Sequence, residues 1–277
     1  MYRRYLKQGS ITLFFCLLIL LYFSSNSSVA LVQGRYSSWM KNLIKTSDYQ
    51  KLNSMTGGTE TAPVQMNCLE TPGSRFYIGV SQKMTIKAPL EEVSKVIEDI
   101  DHYSELFPGY AAVKILSRNG NEIHTAWEQE IPVFFIPNVK YQMDYEISQP
   151  SADTRIYEYS LVTAGKVRES DGFIAVSRLP DQTTQYLELD FFDADWGPLE
   201  TFAPGKIWPE SINGIFISDV AIKMKAENPQ MTPSQARQAS ENTAKTLEKT
   251  LKDSPGEFCS NHKTTLWQER LNGLKRP

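Results

Sequence analysis

The sequence predicts an α+β fold, in which a curved seven-stranded antiparallel sheet holds a long C-terminal helix and two short helices follow the first strand. Three observations carry this. One long segment of period-two alternation opens the series near residue 76. Six further strand-like segments follow a helix pair, separated by turn residues. An apolar helical stripe closes the series after Trp196-Gly197-Pro198.

In the first segment Phe76, Ile78, Val80, Gln82, Met84 and Ile86 alternate with Tyr77, Gly79, Ser81, Lys83, Thr85 and Lys87, which gives a strand with one buried face. Ala88-Pro89 stops it, and Pro89 suits a helix start. Val93, Val96, Ile97 and Ile100 then recur at helical spacing, with Glu91, Glu92, Lys95 and Glu98 off that face. A second short helix is expected over 102–107, ended by Pro108-Gly109. Strands are expected at 112–116, 123–131, 139–147, 156–162, 173–177 and 186–192, with turns at 149–154, 164–171 and 180–183. Arg168-Glu169-Ser170-Asp171 reads as a charged turn. Ile212, Ile215, Phe216, Val220 and Met224 form the apolar face of the long helix, and a polar helix follows from Pro233 to about residue 252. A long curved sheet with one apolar face must cover that face, and one helix cannot fill the concavity, so a cavity is expected.

The 277 residues are 41% hydrophobic and 22% charged, with a net charge of −3. That excludes a coiled coil and wholesale disorder, and it speaks against a basic nucleic-acid binder. Residues 1–30 read as a secretory signal, with Arg3, Arg4 and Lys7 ahead of a thirteen-residue apolar run, 11–23, too short for a comfortable membrane span. Ser28 and Ala30 meet the small-x-small rule, so cleavage is expected after Ala30; the alternative is an uncleaved membrane anchor. Cleavage removes three positive charges and no negative ones, which leaves 247 residues and a net charge of −6. The expected location is periplasmic or secreted. Of the three cysteines, Cys68 and Cys259 remain in the mature chain, and an even count in an oxidising compartment suggests a disulfide between them. The expected organisation is a signal at 1–30, an extension at 31–74, the main domain at 75–227, and a C-terminal helical extension and tail at 228–277.

The run Ala88-Pro89-Leu90-Glu91-Glu92-Val93, then Ile100-Asp101, then Phe107-Pro108-Gly109-Tyr110 resembles the opening of the START-like, helix-grip superfamily (SRPBCC). That group includes START lipid-transfer domains, polyketide cyclases and dehydrases, and coenzyme-Q-binding proteins. The segment 131–140 sits where members carry an apolar, proline-bearing hairpin; many have Arg-Asp where this chain has Asn138 and Lys140 nearby. The resemblance spans about residues 75–227. It implies a helix-grip fold with a hydrophobic cavity between the sheet and the C-terminal helix, but no single function.

Candidate cavity residues come from the inward faces: Trp127, Tyr141, Met143, Tyr145, Tyr157, Tyr159 and Phe216. Aromatic rings and methionine make an adaptable apolar wall, and tyrosine hydroxyls can orient a polar ligand end. Val133-Phe134-Phe135-Ile136 places apolar residues at a hairpin tip, which suits transient membrane contact, gating of a cavity mouth, or packing onto a neighbouring helix. Glu188, Asp190, Asp193 and Asp195 read as a solvated convex face rather than a cation site. His102, His124 and His262 lack metal-ligand spacing, and no HExxH, CxxC or Gly-x-Ser-x-Gly motif occurs. No catalytic residue, metal or cofactor is assigned. The first expectation is a carrier of a hydrophobic small molecule of lipid, isoprenoid or quinone-like character. A cyclase- or dehydratase-type enzyme of the same superfamily is the alternative, for which Gln82, Thr125 and Gln129 are the inward polar residues. A protein-interaction module is the third reading.

Overall fold

The structure, a computed structural model, describes residues 30–31, 65–68, 78–131, 137–164, 166–197, 199–202 and 204–251. Residues 1–29 of the expected leader, the hairpin tip Val133 to Ile136 and Cys259, with its expected bridge to Cys68, lie outside the described residues. The chain divides into two compact units, Met1–Ala30 and Leu31–Pro277, and the described helices and long strands belong to the second.

The strands are β1 (Ala30–Leu31), β2 (Gln65–Cys68), β3 (Ile78–Ile86), β4 (Tyr110–Asn119), β5 (Glu122–Gln129), β6 (Val139–Ser151), β7 (Thr154–Ala164), β8 (Val167–Arg178) and β9 (Thr184–Ala194). The helices are α1 (Leu90–Glu98), α2 (Tyr103–Leu106), α3 (Leu199–Phe202), α4 (Pro204–Glu227) and α5 (Pro233–Leu251). Seven long strands, β3–β9, form the curved antiparallel sheet that the sequence predicts. The order is β2-β3-β9-β8-β7-β6-β5-β4, so the first long strand pairs with the last. This is the α+β helix-grip architecture. The extension contributes one element to it: β2 pairs antiparallel with β3 from Gln65↔Lys83 to Cys68↔Val80.

Local sequence explains the helices. Pro89 stands at the N-cap of α1, Glu91 and Glu92 follow in its first turn, and Leu90, Val93, Ser94 and Ile97 are its buried face. Asp99 breaks the helix, and a 3-10 turn (Ile100–His102) leads into α2. At α5, Thr232 Oγ1 accepts from the Gln235 N–H and Gln235 Oε1 accepts from the Thr232 N–H, a reciprocal cap. Ala236, Ser240 and Ala244 recur every four residues as the buried stripe of α5, which packs on α4 and α2.

The expected charged turn at 168–171 is corrected: β8 begins at Val167, and these four residues are strand. Arg168 pairs with Asp193 across the ladder at 2.9 Å. Asp171, fully buried, accepts from the Leu161 N–H at 3.3 Å. Both faces of β8 are buried, so the alternation that marks a half-exposed strand is absent. The turn expected at 149–154 likewise shrinks, because β6 runs to Ser151 and β7 starts at Thr154.

The end of α4 is fastened to β3. Lys223 Nζ donates to the Thr85 carbonyl at 2.7 Å and pairs with Glu227, whose Oε1 accepts the Lys87 N–H at 2.7 Å. Lys223→Met removes the donor and leaves Glu227 without its cation in a mostly buried setting. Chemical denaturation should show a loss of about 1–3 kcal/mol. No loss would mean the clamp is not needed to seat α4.

Candidate functional site

On the concave face the register aligns Val80, Gln82, Met84 and Ile86 of β3 with Asp190, Glu188, Tyr186 and Thr184 of β9. Asp190, Glu188 and Tyr186 align in turn with Gly172, Ile174 and Val176 of β8. Tyr157 and Tyr159 of β7, Tyr141, Met143 and Tyr145 of β6, and Thr125 and Trp127 of β5 continue the same face. Between this face and α4 lies a cavity of about 590 Å³. Five of the seven expected cavity residues line it: Trp127, Tyr141, Met143, Tyr145 and Tyr159.

Tyr157 and Phe216 are placed elsewhere. Tyr157 sits two residues before Tyr159, a step of roughly 7 Å along the strand, and its hydroxyl donates to Glu98 of α1 at 2.9 Å. Phe216 is buried with Ile212 and Val220 on one stripe of α4. The cavity meets a neighbouring stripe that includes Ile207, Ser211, Gly214, Ser218 and Ile222.

Trp127 is the centre of the aromatic wall. It stacks on Tyr141 (6.2 Å, 13°) and on Tyr145 (6.5 Å, 19°), and Tyr110 meets it edge-on at 5.0 Å. Its orientation is fixed because Nε1 donates to Thr125 Oγ1 at 2.8 Å, while that hydroxyl donates to the Met143 carbonyl at 2.9 Å. Burial raises the Tyr110 phenol to about 12 and those of Tyr141, Tyr145 and Tyr159 well above the usual tyrosine range.

The expected solvated face is corrected for three of its four carboxylates: Asp193 is 5% exposed in its pair with Arg168, and the other two face inward. Glu188 and Asp190 face the cavity, and Glu188 is only 8% exposed. They meet Asp219, which projects from α4 and is 2% exposed. The Tyr159 hydroxyl lies 3.1 Å from Asp190 Oδ1 and 3.3 Å from Glu188 Oε1, and Tyr186 donates to Asp219 Oδ1 at 2.7 Å. Apart from the proton the two carboxyls share, Glu188 Oε2 and Asp219 Oδ2 have no hydrogen-bond partner. Burial first, and then neighbouring Asp219, push Glu188 well above the carboxylate range; burial and then the Glu188 charge do the same to Asp190. Burial raises Asp219 to about 7, opposed by hydrogen bonds from Glu188 and Tyr186. The arrangement suits a proton held on Glu188 with Asp219 as its acceptor.

Sequence pattern missed this wall because β9 has two buried faces. Leu187, Leu189 and Phe191 on the other side are at most 2% exposed, so the aliphatic residues pass for the inward set. Gly172 was the available signal. Tyr159 reaches across β8 to β9 over Gly172, and a Cβ there would meet the Tyr159 ring at 2.3 Å and the Leu189 carbonyl at 2.5 Å. His124 lies away from the cavity and pairs with Asp144 across the strands at 2.6 Å. Among the described residues no set of three or more His, Cys, Asp or Glu could hold a metal ion, and no helix is long and apolar enough to cross a membrane.

No family model matches the chain, and no curated protein matches it. Solved structures do. A STAR-related lipid transfer protein from Xanthomonas axonopodis is 16% identical, with 68% of this chain and 98% of that one covered at a TM-score of 0.43. The human StarD13 lipid transfer and protein localization domain is 10% identical, with 68% and 97% covered at 0.46. The Zhui aromatase/cyclase from Streptomyces sp. R1128 is 16% identical, with 60% and 94% covered at 0.38. The chain is similar to these; its helix-grip assignment rests on the strand order and on the helix held by the sheet.

The acidic wall has two measurable consequences. Gly172→Ala forces Tyr159 off Asp190 or distorts β8, and should cost about 1–3 kcal/mol in chemical denaturation. A neutral result would mean the ring has free space. A carboxyl raised in the folded chain contributes stability at low pH that is lost as pH rises from its unfolded value, about 4, towards its folded one. For Asp219 that window closes at about 7, and burial shifts Glu188 and Asp190 in the same direction. Thermal denaturation should therefore show Tm falling between pH 4.5 and 8. Glu188→Gln should flatten the fall and raise Tm at pH 8, by about 2–4 °C per kcal/mol in a chain this size. A Tm rising over that range would place ionised carboxylates in the folded state.

Proposed function

We propose that this chain binds and carries a hydrophobic small molecule between its sheet and α4. The observation that carries the reading is the cavity of about 590 Å³ walled by Trp127, Tyr141, Tyr145 and aliphatic residues of α4. A space of this size, apolar with a few convergent polar groups, fits a small-molecule site. Burying about 200 Å² of ligand surface at ~25 cal/mol per Å² is worth about 5 kcal/mol, without bond chemistry. Lipid, isoprenoid and quinone-like bodies all meet the apolar requirement. In this reading the chain works outside the cytoplasm after cleavage behind Ala30, which N-terminal sequencing of exported protein tests.

A second reading, an acid–base enzyme of cyclase or dehydratase type, is favoured by one observation. Asp219, raised to about 7, is poised to exchange a proton near neutral pH beside Glu188 and Tyr186. A carrier returns its ligand unchanged, whereas an enzyme releases a different molecule from the one loaded.

Native mass spectrometry of exported protein, followed by organic extraction, should reveal a co-purifying apolar species near equal stoichiometry. Gly214 offers a matching block. It lines the cavity, and a Cβ there meets nothing within 4 Å. Gly214→Phe should fill the cavity, keep or raise stability because it removes a helical glycine, and weaken binding more than tenfold. Unchanged binding in Gly214→Phe would move the ligand out of this cavity.

A further inference from the structure

The charges around the cavity are one-sided. Among the described lining residues the acids are Glu130, Glu188, Asp190, Glu210 and Asp219, and the base is Lys206, exposed in the first turns of α4. Among the described residues no lysine or arginine forms an ion pair with Glu188, Asp190 or Asp219. A ligand anion would meet carboxyl groups on β9 and α4 with no counter-charge beside them. A ligand with no N–H or O–H group would give Glu188 Oε2 and Asp219 Oδ2 nothing beyond the proton the two carboxyls share, and a neutral alcohol offers one proton and no charge.

The aromatic wall favours the same kind of ligand by a separate route. Tyr103, Tyr110, Trp127, Tyr141, Tyr145 and Tyr159 bring six electron-rich rings to one cavity. Such rings attract a cation over their faces, most strongly where water is excluded. A cation that carries N–H groups satisfies both features, because its charge suits the rings and the carboxylates, and its several protons reach more than one carboxyl oxygen at once.

We propose that the cavity selects a protonated amine attached to an apolar body, with the ammonium held by Glu188, Asp190 and Asp219 and flanked by the tyrosine and tryptophan rings. This rests on the cavity being the ligand site. The groups that face the acids are Tyr186 and Gln82 from the neighbouring sheet positions, Tyr159 from β7, Tyr141 and Tyr145 from β6, Tyr110 from β4 and Tyr103 from α2, with Asp171 of β8 adding a like charge near Asp190; none is a base. Without ligand, burial holds protons on Glu188 and Asp190 well above the usual carboxylate range, and on Asp219 up to about 7. An arriving ammonium stabilises a carboxylate, so a proton leaves the wall for solvent while the amine keeps its own. Affinity therefore rises with pH from about 5.5 to 8, below the range where an alkylamine loses its proton.

The test uses three probes with one tail, below micelle formation: decylammonium, decanol and decanoate, titrated calorimetrically into the mature protein. Decylammonium should bind about tenfold or more tighter than decanol, decanoate should bind weakest, and only the amine should gain affinity with pH and release a proton. Asp190→Asn and Glu188→Gln, which keep side-chain shape, should each weaken the amine several-fold more than they weaken decanol. Decanol or decanoate binding as tightly as the amine overturns the proposal while the cavity reading stands. Equal losses for amine and decanol in both variants also overturn it, because the carboxyls would then act through packing alone. Failure of all three probes overturns the cavity reading itself.

Discussion

Asp219 projects from the middle of α4 onto the concave face and accepts a hydrogen bond from the Tyr186 hydroxyl at 2.7 Å, beside Glu188 on the same strand as that tyrosine. This hydrogen bond between helix and sheet fixes α4 over the sheet at a polar point beside its apolar packing. On one side of that point Ile212, Phe216 and Val220 fill the core; on the other, Gly214 and Ser218 leave room. The cavity is the space left between the two, and the carboxyl pair is the seam along its edge.

Burying three carboxyl groups has a cost, and the chain limits it by neutralisation instead of by ion pairing. In a low-dielectric wall an ionised carboxylate without a partner is strongly disfavoured, so the proton stays. A protonated carboxyl is a hydrogen-bond donor as well as an acceptor, which makes the wall more versatile than a salt bridge would be. Tyr159 reinforces it by reaching over Gly172 from two strands away. The same residues thus shape the cavity, set its polarity and couple its stability to pH.

The aromatic half of the site is arranged differently. Trp127 is held by a relay of two hydrogen bonds through Thr125, so the largest ring in the wall has a fixed orientation. Tyr141 and Tyr145 lie nearly parallel to it on the next strand, as cross-strand neighbours do when they share a face. A rigid aromatic wall opposite a titratable acidic one gives a ligand two unlike surfaces, and so an orientation.

The sequence by itself determined the order of elements, because alternation and helical spacing are local properties. The strand at 78–86, the faces through Trp127 and Tyr141, Met143 and Tyr145, and the long helix are legible from one face being apolar and the other polar. That signal fails where both faces of a strand are buried. In β8 it made 168–171 look like a turn, and in β9 it sent Glu188 and Asp190 to the wrong side. Only the tertiary structure decided that Tyr157 belongs under α1, that Phe216 belongs to the core, and that Asp219 meets Glu188. Each of these depends on which element stands opposite, and that is set by strand order and helix seating between residues far apart in the chain.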